Sequence, residues 1–331
     1  MVTCISWIVT GPEPPCYAGR VRRRVVGDFP GVQIDNQHLA AVLPAGTPLL
    51  RLHQGTIHGE GAVWSPADRS LFWSDVPNRR LLRWHTDGRV TVAIDGTQFM
   101  NGNALDADGR LVHCEHGRRC ISRSGPSGPS GMPDAIVTHY QGKRLNSPND
   151  VTVAPDGAIW FTDPTFGLLV PSQGALAVPE LDHRSVYRFD PATSVLGRMA
   201  DFDQPNGLCF SPDGRTLYVS DTARSLNSIP GAETGQTHEI VAFDVCVGGR
   251  LSGRRFFWQT DHGLPDGLRA DRRGWIWATP GDGVHIIAPD RTRLGFIPVR
   301  SACANCAFGG PDGTRLFIAA TTYLLAIDLV N

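Results

Sequence analysis

Six positions in this chain place a side-chain oxygen directly ahead of a short apolar run: Glu60, Asn101, Asn149, Asn206, Asp266 and Asn305. Oxygen-only donors that mix carboxylate with amide suit one hard divalent cation, Ca2+ first, with Mg2+ or Mn2+ as alternatives. Glu60 and Asp266 bring two negative charges, which neutralise a dication, and the asparagines complete a shell without adding charge. Neither His nor Cys joins the column, so Zn2+ is disfavoured and is expected only in vitro. Asn and Asp ahead of a strand also serve as plain turn residues that hydrogen-bond their own backbone. That reading explains one or two positions easily and six of six, one of them a glutamate, poorly.

The column is set by a repeat. EGAVWSPADRSLFWSD, NGNALDADGRLVHCE, NDVTVAPDGAIWFTD, NGLCFSPDGRTLYVSD, DGLRADRRGWIWATP and NCAFGGPDGTRLFIAA align without forcing, with starts separated by 41, 48, 57, 60 and 39 residues. Each reads as a polar residue, an apolar strand, a turn and a second apolar strand, and Asp-Gly between such runs is a strong hairpin signal. The spacing is that of a four-stranded propeller blade. The expected fold is therefore all-β, a six-bladed β-propeller with a central metal-binding channel lined by the first residue of each repeat. Residues 41–331 form one domain, closed by pairing Pro48–Leu52 with the chain after Leu316, and residues 1–40 form a disordered or partly ordered extension. A β-sandwich does not repeat one signature six times.

The motifs EGAVW, NSPND, PNGLCFSPDGRTLYVSD and LPDG resemble those of the SMP-30/gluconolactonase/luciferin-regenerating-enzyme family over residues 45 to 329. NSPNDVTVAPDGAIWFTDPTFGL is similar to the microbial gluconolactonase branch. Ser147 stands where the animal branch usually has Arg, so sugar recognition differs in detail. The resemblance implies a propeller with a metal in its channel, held by Glu60, Asn206 and Asp266, with Asn149 as a further ligand or a substrate contact. It implies hydrolysis of a small sugar lactone. A lactone is a cyclic ester, so opening it needs a polarised carbonyl and an activated water, both of which a metal supplies. Asp266 is then a ligand and a candidate general base, with metal-activated water or direct attack by Asp266 as other routes. Candidate substrate contacts are Asn101, Glu115, His116, Arg144, Asn146 and Asn149, with Asn305 facing the same channel. His58 and His262 are proton-relay candidates or structural histidines. A phosphotriesterase-like hydrolase and a non-catalytic calcium-binding propeller are the rival readings.

With 31 basic and 32 acidic residues the formal net charge is −1, and no Lys/Arg stripe with stacking aromatics suggests a nucleic acid. No apolar run is long enough to span a bilayer. Near the N-terminus an apolar run (Cys4 to Val9) precedes the basic Arg20 to Arg24, the wrong order for a signal peptide, so a disordered extension or a misassigned start is expected. Eight cysteines scattered over the chain read as free thiols, and Cys303-x-x-Cys306 as core packing. These features point to a cytoplasmic protein, with a periplasmic or secreted one as the alternative, and to a monomer or small homo-oligomer.

Overall fold

The computed structural model describes residues 24–25, 31–125, 128–228, 237–260 and 263–330. The fold is all-β and propeller-like. Each of the six sequence repeats forms an antiparallel hairpin, with Leu50–Ser65 against Ser70–Asp75 as the first and Asn305–Gly309 against Arg315–Asp328 as the last. Four of the hairpins carry two more strands each and make separate sheets: Met100–Leu105 to Asp134–Val137, Val151–Val153 to Val195–Phe202, Pro205–Phe210 to Leu251–Gln259, and Leu268–Ala270 to Arg293–Pro298.

The first and last repeats share one larger sheet instead of forming two. The cause is the continuous strand Leu50–Ser65, whose early residues pair with the chain's last strand (Leu324 opposite His53) while its later residues pair with the first hairpin (Val63 opposite Phe72). Closure thus falls where the sequence places it, and five large sheets replace six separate ones. The chain ahead of this strand also reaches the ring. Gln33–Ile34 pairs with Gly295 and Phe296, and the helix Gln37–Val42, capped by the Asn36 side chain, buries Leu39 against the same sheet. The run Cys4 to Val9 and residues 20–23 lie outside the described residues, as does His262.

The turns follow the chemistry expected of them. Gly109 in Asp108-Gly109 takes φ +76°, in the left-handed region that costs glycine little. The first hairpin lacks that glycine and puts Arg69 there at φ 48°.

The apolar strand residues are buried between neighbouring repeats. One cluster joins Phe72 and Leu81 to Met100 and Leu111, the next joins Val112 and Ile121 to Ile159 and Tyr187, and so on round the ring to Phe317 and Leu324 against Leu71 and Trp73. Two-sided burial of this kind explains why no repeat could stand alone. Cys303 and Cys306 belong to one such cluster, and all six described cysteines are free.

Candidate active site

The ring positions sit at the entrance to the innermost strands. Glu60, Asn101, Asn149, Asn206 and Asn305 are buried, and Asp266 is half-buried. In three repeats the hairpin register slips at the ring position: between Glu60 and Val63, between Met100 and Asn103, and between Pro205 and Leu208. Such bulges twist a strand and re-aim a side chain next to functional sites. The residue after the ring position touches the next repeat. A Cβ on Gly61 would lie 2.1 Å from the Asn101 carbonyl oxygen, and one on Gly207 would lie 2.4 Å from that of Asp266. Only glycine permits this approach.

Two further columns hold the ring in place, and sequence reasoning missed both. In four repeats a hydroxyl near the end of the second strand reaches the next repeat's backbone at or just ahead of its ring position. Ser74 donates to the Asn101 carbonyl at 2.7 Å, Thr162 to that of Asn206 at 2.6 Å, and Ser220 to that of Asp266 at 2.8 Å. Thr279 does the same to Ala304 at 3.0 Å. In the second repeat Cys114 occupies that place. The carboxylate that follows the hydroxyl grips the segment entering its own inner strand. Asp75 accepts from the Ile57 amide, Asp163 from that of Asn146, and Asp221 from those of Asp203 and Gln204, at 2.8–3.0 Å. The signal was present in the sequence as Ser-Asp, Thr-Asp and Ser-Asp closing three of the repeats.

At the centre, Glu60, Asn206 and Asp266 come together. Asn206 donates to the Asp266 side chain and also to the Thr222 hydroxyl at 3.1 Å. Burial, and then the Glu60 and Asp150 carboxylates, push Asp266 well above the usual carboxylate range. His58 Nε2 lies 3.3 Å from Glu60. Asp150, also missed, takes the place that glycine holds in four repeats. It is buried between repeats, 3.4 Å from Arg269, and burial raises its proton affinity while Arg269 opposes the rise.

The other candidates read from the sequence divide. Asn101 joins the ring, and its amide lies 3.4 Å from His116 Nε2. Asn149 takes its place between Asn101 and Asn206, its carbonyl accepting from Gly102. Glu115 is fully buried and bonded to Ser122 and, at 3.1 Å, to Arg118. Arg144 donates to the Arg118 carbonyl at 2.9 Å, and Asn146 to that of His183 at 2.9 Å. The bonds of these last three hold loops together, while Glu115 Oε2 and Asn146 Oδ1 keep no hydrogen-bond partner. Asn305 keeps a buried side-chain oxygen without a hydrogen-bond partner.

The donors at the centre fit a hard cation. The Glu60 carboxylate adds to the burial that raises the proton affinity of Asp266, and the adjacent guanidinium is already engaged by Asp150. Burying two carboxylates side by side is costly, and a cation between them would offset that cost. Among the described residues no cluster of three or more His, Cys, Asp or Glu could hold a metal ion, so a metal here must draw on amide oxygens. A cavity of about 310 Å³, lined by Ala62, Asn103, Val151, Arg269 and Ala307, opens toward the hairpin-turn end of the inner strands.

Fold and site together define a propeller-like protein with an acidic, oxygen-lined centre. The chain belongs to the SMP-30/gluconolactonase/LRE-like family, whose characteristic region matches residues 58–322. It is 31% identical over 305 residues to a gluconolactonase of Zymomonas mobilis subsp. mobilis, covering 86% of this chain and 82% of that one. The solved structure of a gluconolactonase from Xanthomonas campestris aligns with a TM-score of 0.86 at 46% identity, over 96% of this chain and 100% of the other. Regucalcin from Agrobacterium tumefaciens, a calcium-binding protein, shares the fold at 20% identity and a TM-score of 0.65, over 91% of this chain and 95% of its own. No helix among the described residues is long and apolar enough to cross a membrane.

Proposed function

We propose that this protein hydrolyses a small sugar lactone to the open hydroxy acid with the help of one divalent cation, Ca2+ in the first place. Its relatives place it among lactone hydrolases. The observation that carries the metal reading is the pair of carboxylates, Glu60 and Asp266, beside Asn206. These three residues would hold the ion, with Asn149 as the fourth ligand. When bound, the ion polarises the lactone carbonyl and acidifies a water. Glu60 and Asn206 fix the site, and their bulged strands keep it rigid. Asp266, half-buried and so reachable, takes the proton from the water that adds to the carbonyl carbon. The ring C–O bond then breaks, and Asp266 returns that proton to the leaving oxygen. Asn101 and His116 orient the sugar hydroxyls. Glu115, Arg144 and Asn146 support the loops behind them.

The ring itself reads as six-bladed: the seven-stranded sheet is two blades joined through Leu50–Ser65. The six described cysteines are free thiols, in accord with a reducing compartment, the cytoplasm first.

The test is a panel of aldonolactones assayed with EDTA and after return of Ca2+, with Asp266→Ala alongside and organophosphate esters as competing substrates. Metal-reversible lactone hydrolysis lost in the variant is expected. Ca2+ binding without hydrolysis of any lactone would favour the purely calcium-binding reading, which the likeness to a calcium-binding regucalcin supports.

A further inference from the structure

Five of the six hairpin turns close on a left-handed glycine, Gly109, Gly157, Gly214, Gly274 or Gly313, whose amide bonds the carbonyl three residues back. Two turns depart from the common pattern. The first puts Arg69 in the closing position at φ 48°, its amide still bonded to the Pro66 carbonyl. The fifth keeps Gly274 but has Arg272 and Arg273 where the other turns carry alanine or proline followed by aspartate. An ordinary side chain in the left-handed region costs free energy that glycine does not. Both departures bring guanidinium groups to one place. Arg69, Arg272 and Arg273 line a single cavity of about 970 Å³, where the fifth, sixth and first repeats adjoin. The inner strand Asn305–Gly309 runs from the ring to this cavity, so the two sites lie at its opposite ends.

The walls of the cavity are tied together. The Val330 amide donates to the Val42 carbonyl at 2.8 Å and the Leu329 amide to the Thr314 carbonyl at 2.6 Å. Trp64, Phe308 and Leu329 supply apolar surface, with Trp64 stacked on Phe317. Arg273 lies over the Trp275 ring and 3.7 Å from Asp271. Arg272 packs beside the sixth turn, where a Cβ on Gly313 would lie 3.6 Å from its Nη2. Among the described residues neither the Arg69 nor the Arg272 guanidinium has a hydrogen bond or an ion pair. Two carboxylates, Asp271 and Asp312, share the space. Asp271 is taken up by the Arg273 and Trp275 amides at 2.8 and 3.0 Å and lies 3.4 Å from Trp277 Nε1. Three guanidinium groups against two carboxylates leave one positive charge in excess.

We propose that this cavity is a second binding site, remote from the hydrolytic centre, and that its ligand is an organic phosphate. A phosphate monoester presents three acceptor oxygens on a tetrahedral dianion, which guanidinium groups from two different turns meet from different sides. The apolar surface receives the organic body, and the volume suits a small molecule. Bound phosphate offsets the cost of holding Arg69 in its left-handed conformation. A ligand held by the first and fifth turns also spans the seam at which the ring closes, so it stabilises the folded chain.

The test is calorimetric titration of the full chain, in Ca2+-free buffer, with phenyl phosphate, inorganic phosphate and phenol, alongside thermal melts. Phenyl phosphate should bind more tightly than inorganic phosphate, phenol should give no binding, and phenyl phosphate should raise Tm. Arg69→Gly and Arg272→Ala should each weaken phenyl phosphate about tenfold, the worth of one charge-assisted contact. Arg69→Gly restores the residue that the other five turns use, so without ligand its Tm should be no lower than that of the wild type. Ca2+ affinity and lactone hydrolysis should change less than about twofold in both variants, a general folding defect having no reason to spare them. Arg272→Lys, which keeps the charge, should recover part of the lost affinity. Absence of phenyl phosphate binding at millimolar concentration would overturn the proposal, as would binding that survives both substitutions. Equal affinity for inorganic and phenyl phosphate would overturn the assignment to an organic ligand.

Discussion

The Ser220 hydroxyl sits between two repeats, accepting from the Gly207 amide at 2.8 Å and donating to the Asp266 carbonyl at 2.8 Å. One small side chain thus ties the backbone of two proposed metal ligands' neighbourhoods together. Ser220→Ala leaves both buried backbone groups without this partner, and each such loss costs about 1–3 kcal/mol. Denaturant unfolding should show a destabilisation of that size, and Ca2+ titration a weaker affinity. An unchanged unfolding midpoint would mean that the latch is dispensable.

Glu60→Gln removes one of the carboxylates that push Asp266 upward. In Ca2+-free buffer the variant should be more stable than the wild type, because a buried like charge has been removed. In saturating Ca2+ the order should reverse, because the wild type gains ligand-binding free energy that the variant largely loses. Thermal melts with and without Ca2+ read both effects, and a variant less stable in each condition would contradict the repulsion argument.

Stability should also fall with rising pH at one carboxyl. Burial drives Asp163 up to about 7 from an ordinary 3.8, so between those values the native protein keeps a proton that the unfolded chain has released. Its contribution is full below the lower value and declines as pH climbs to the higher one. Asp163→Asn keeps an oxygen for the Asn146 amide and should abolish this decline. His113 and His116 act in the opposite sense. Burial lowers them from 6.5 to about 3 and about 4, so their contribution is present above 6.5 and is lost as pH falls towards those values. Unfolding free energies of wild type and variant measured across pH 4 to 8 isolate the Asp163 share by difference, and parallel curves would refute it.

Gly207→Ala places a methyl 2.4 Å from the Asp266 carbonyl oxygen, a backbone atom that cannot step aside cheaply. Overpacking of this kind costs about 1–3 kcal/mol. The substitution should also displace Asp266, lowering Ca2+ affinity more than Gly109→Ala at a hairpin turn far from the ring. Calorimetric titration of the two variants makes the comparison.

The repeat was legible because hairpins impose a period on the sequence. Alternating apolar residues, Asp-Gly turns and a polar opener recur together, and all six hairpins form where they fall. The sharing of one sheet by the first and last repeats was less visible, since nothing local in Leu50–Ser65 announces two partners. At the site, Glu60 and Asp266 stood out by residue type and Asn206 through the family resemblance, and Asp266 meets both. Glu115, Arg144 and Asn146 looked equally chemical, yet their partners are Ser122, Arg118 and His183, contacts that depend on loop paths no spacing encodes. The hydroxyl column escaped notice because Ser74, Thr162 and Ser220 are ordinary strand residues until the neighbouring repeat arrives. Asp150 drew no reading of its own, although it fills a glycine's place with a charge.

The double duty of Leu50–Ser65 has a consequence for synthesis. Its early half waits for Thr321 to Ala326, the last strand to leave the ribosome. Until then the nascent chain carries an open edge along residues 50 to 54, with the apolar side chains of the unfinished junction uncovered. Edges of that sort recruit other strands, so translation stalled ahead of Arg315 should yield a species that joins a second copy through this seam rather than a smaller working ring.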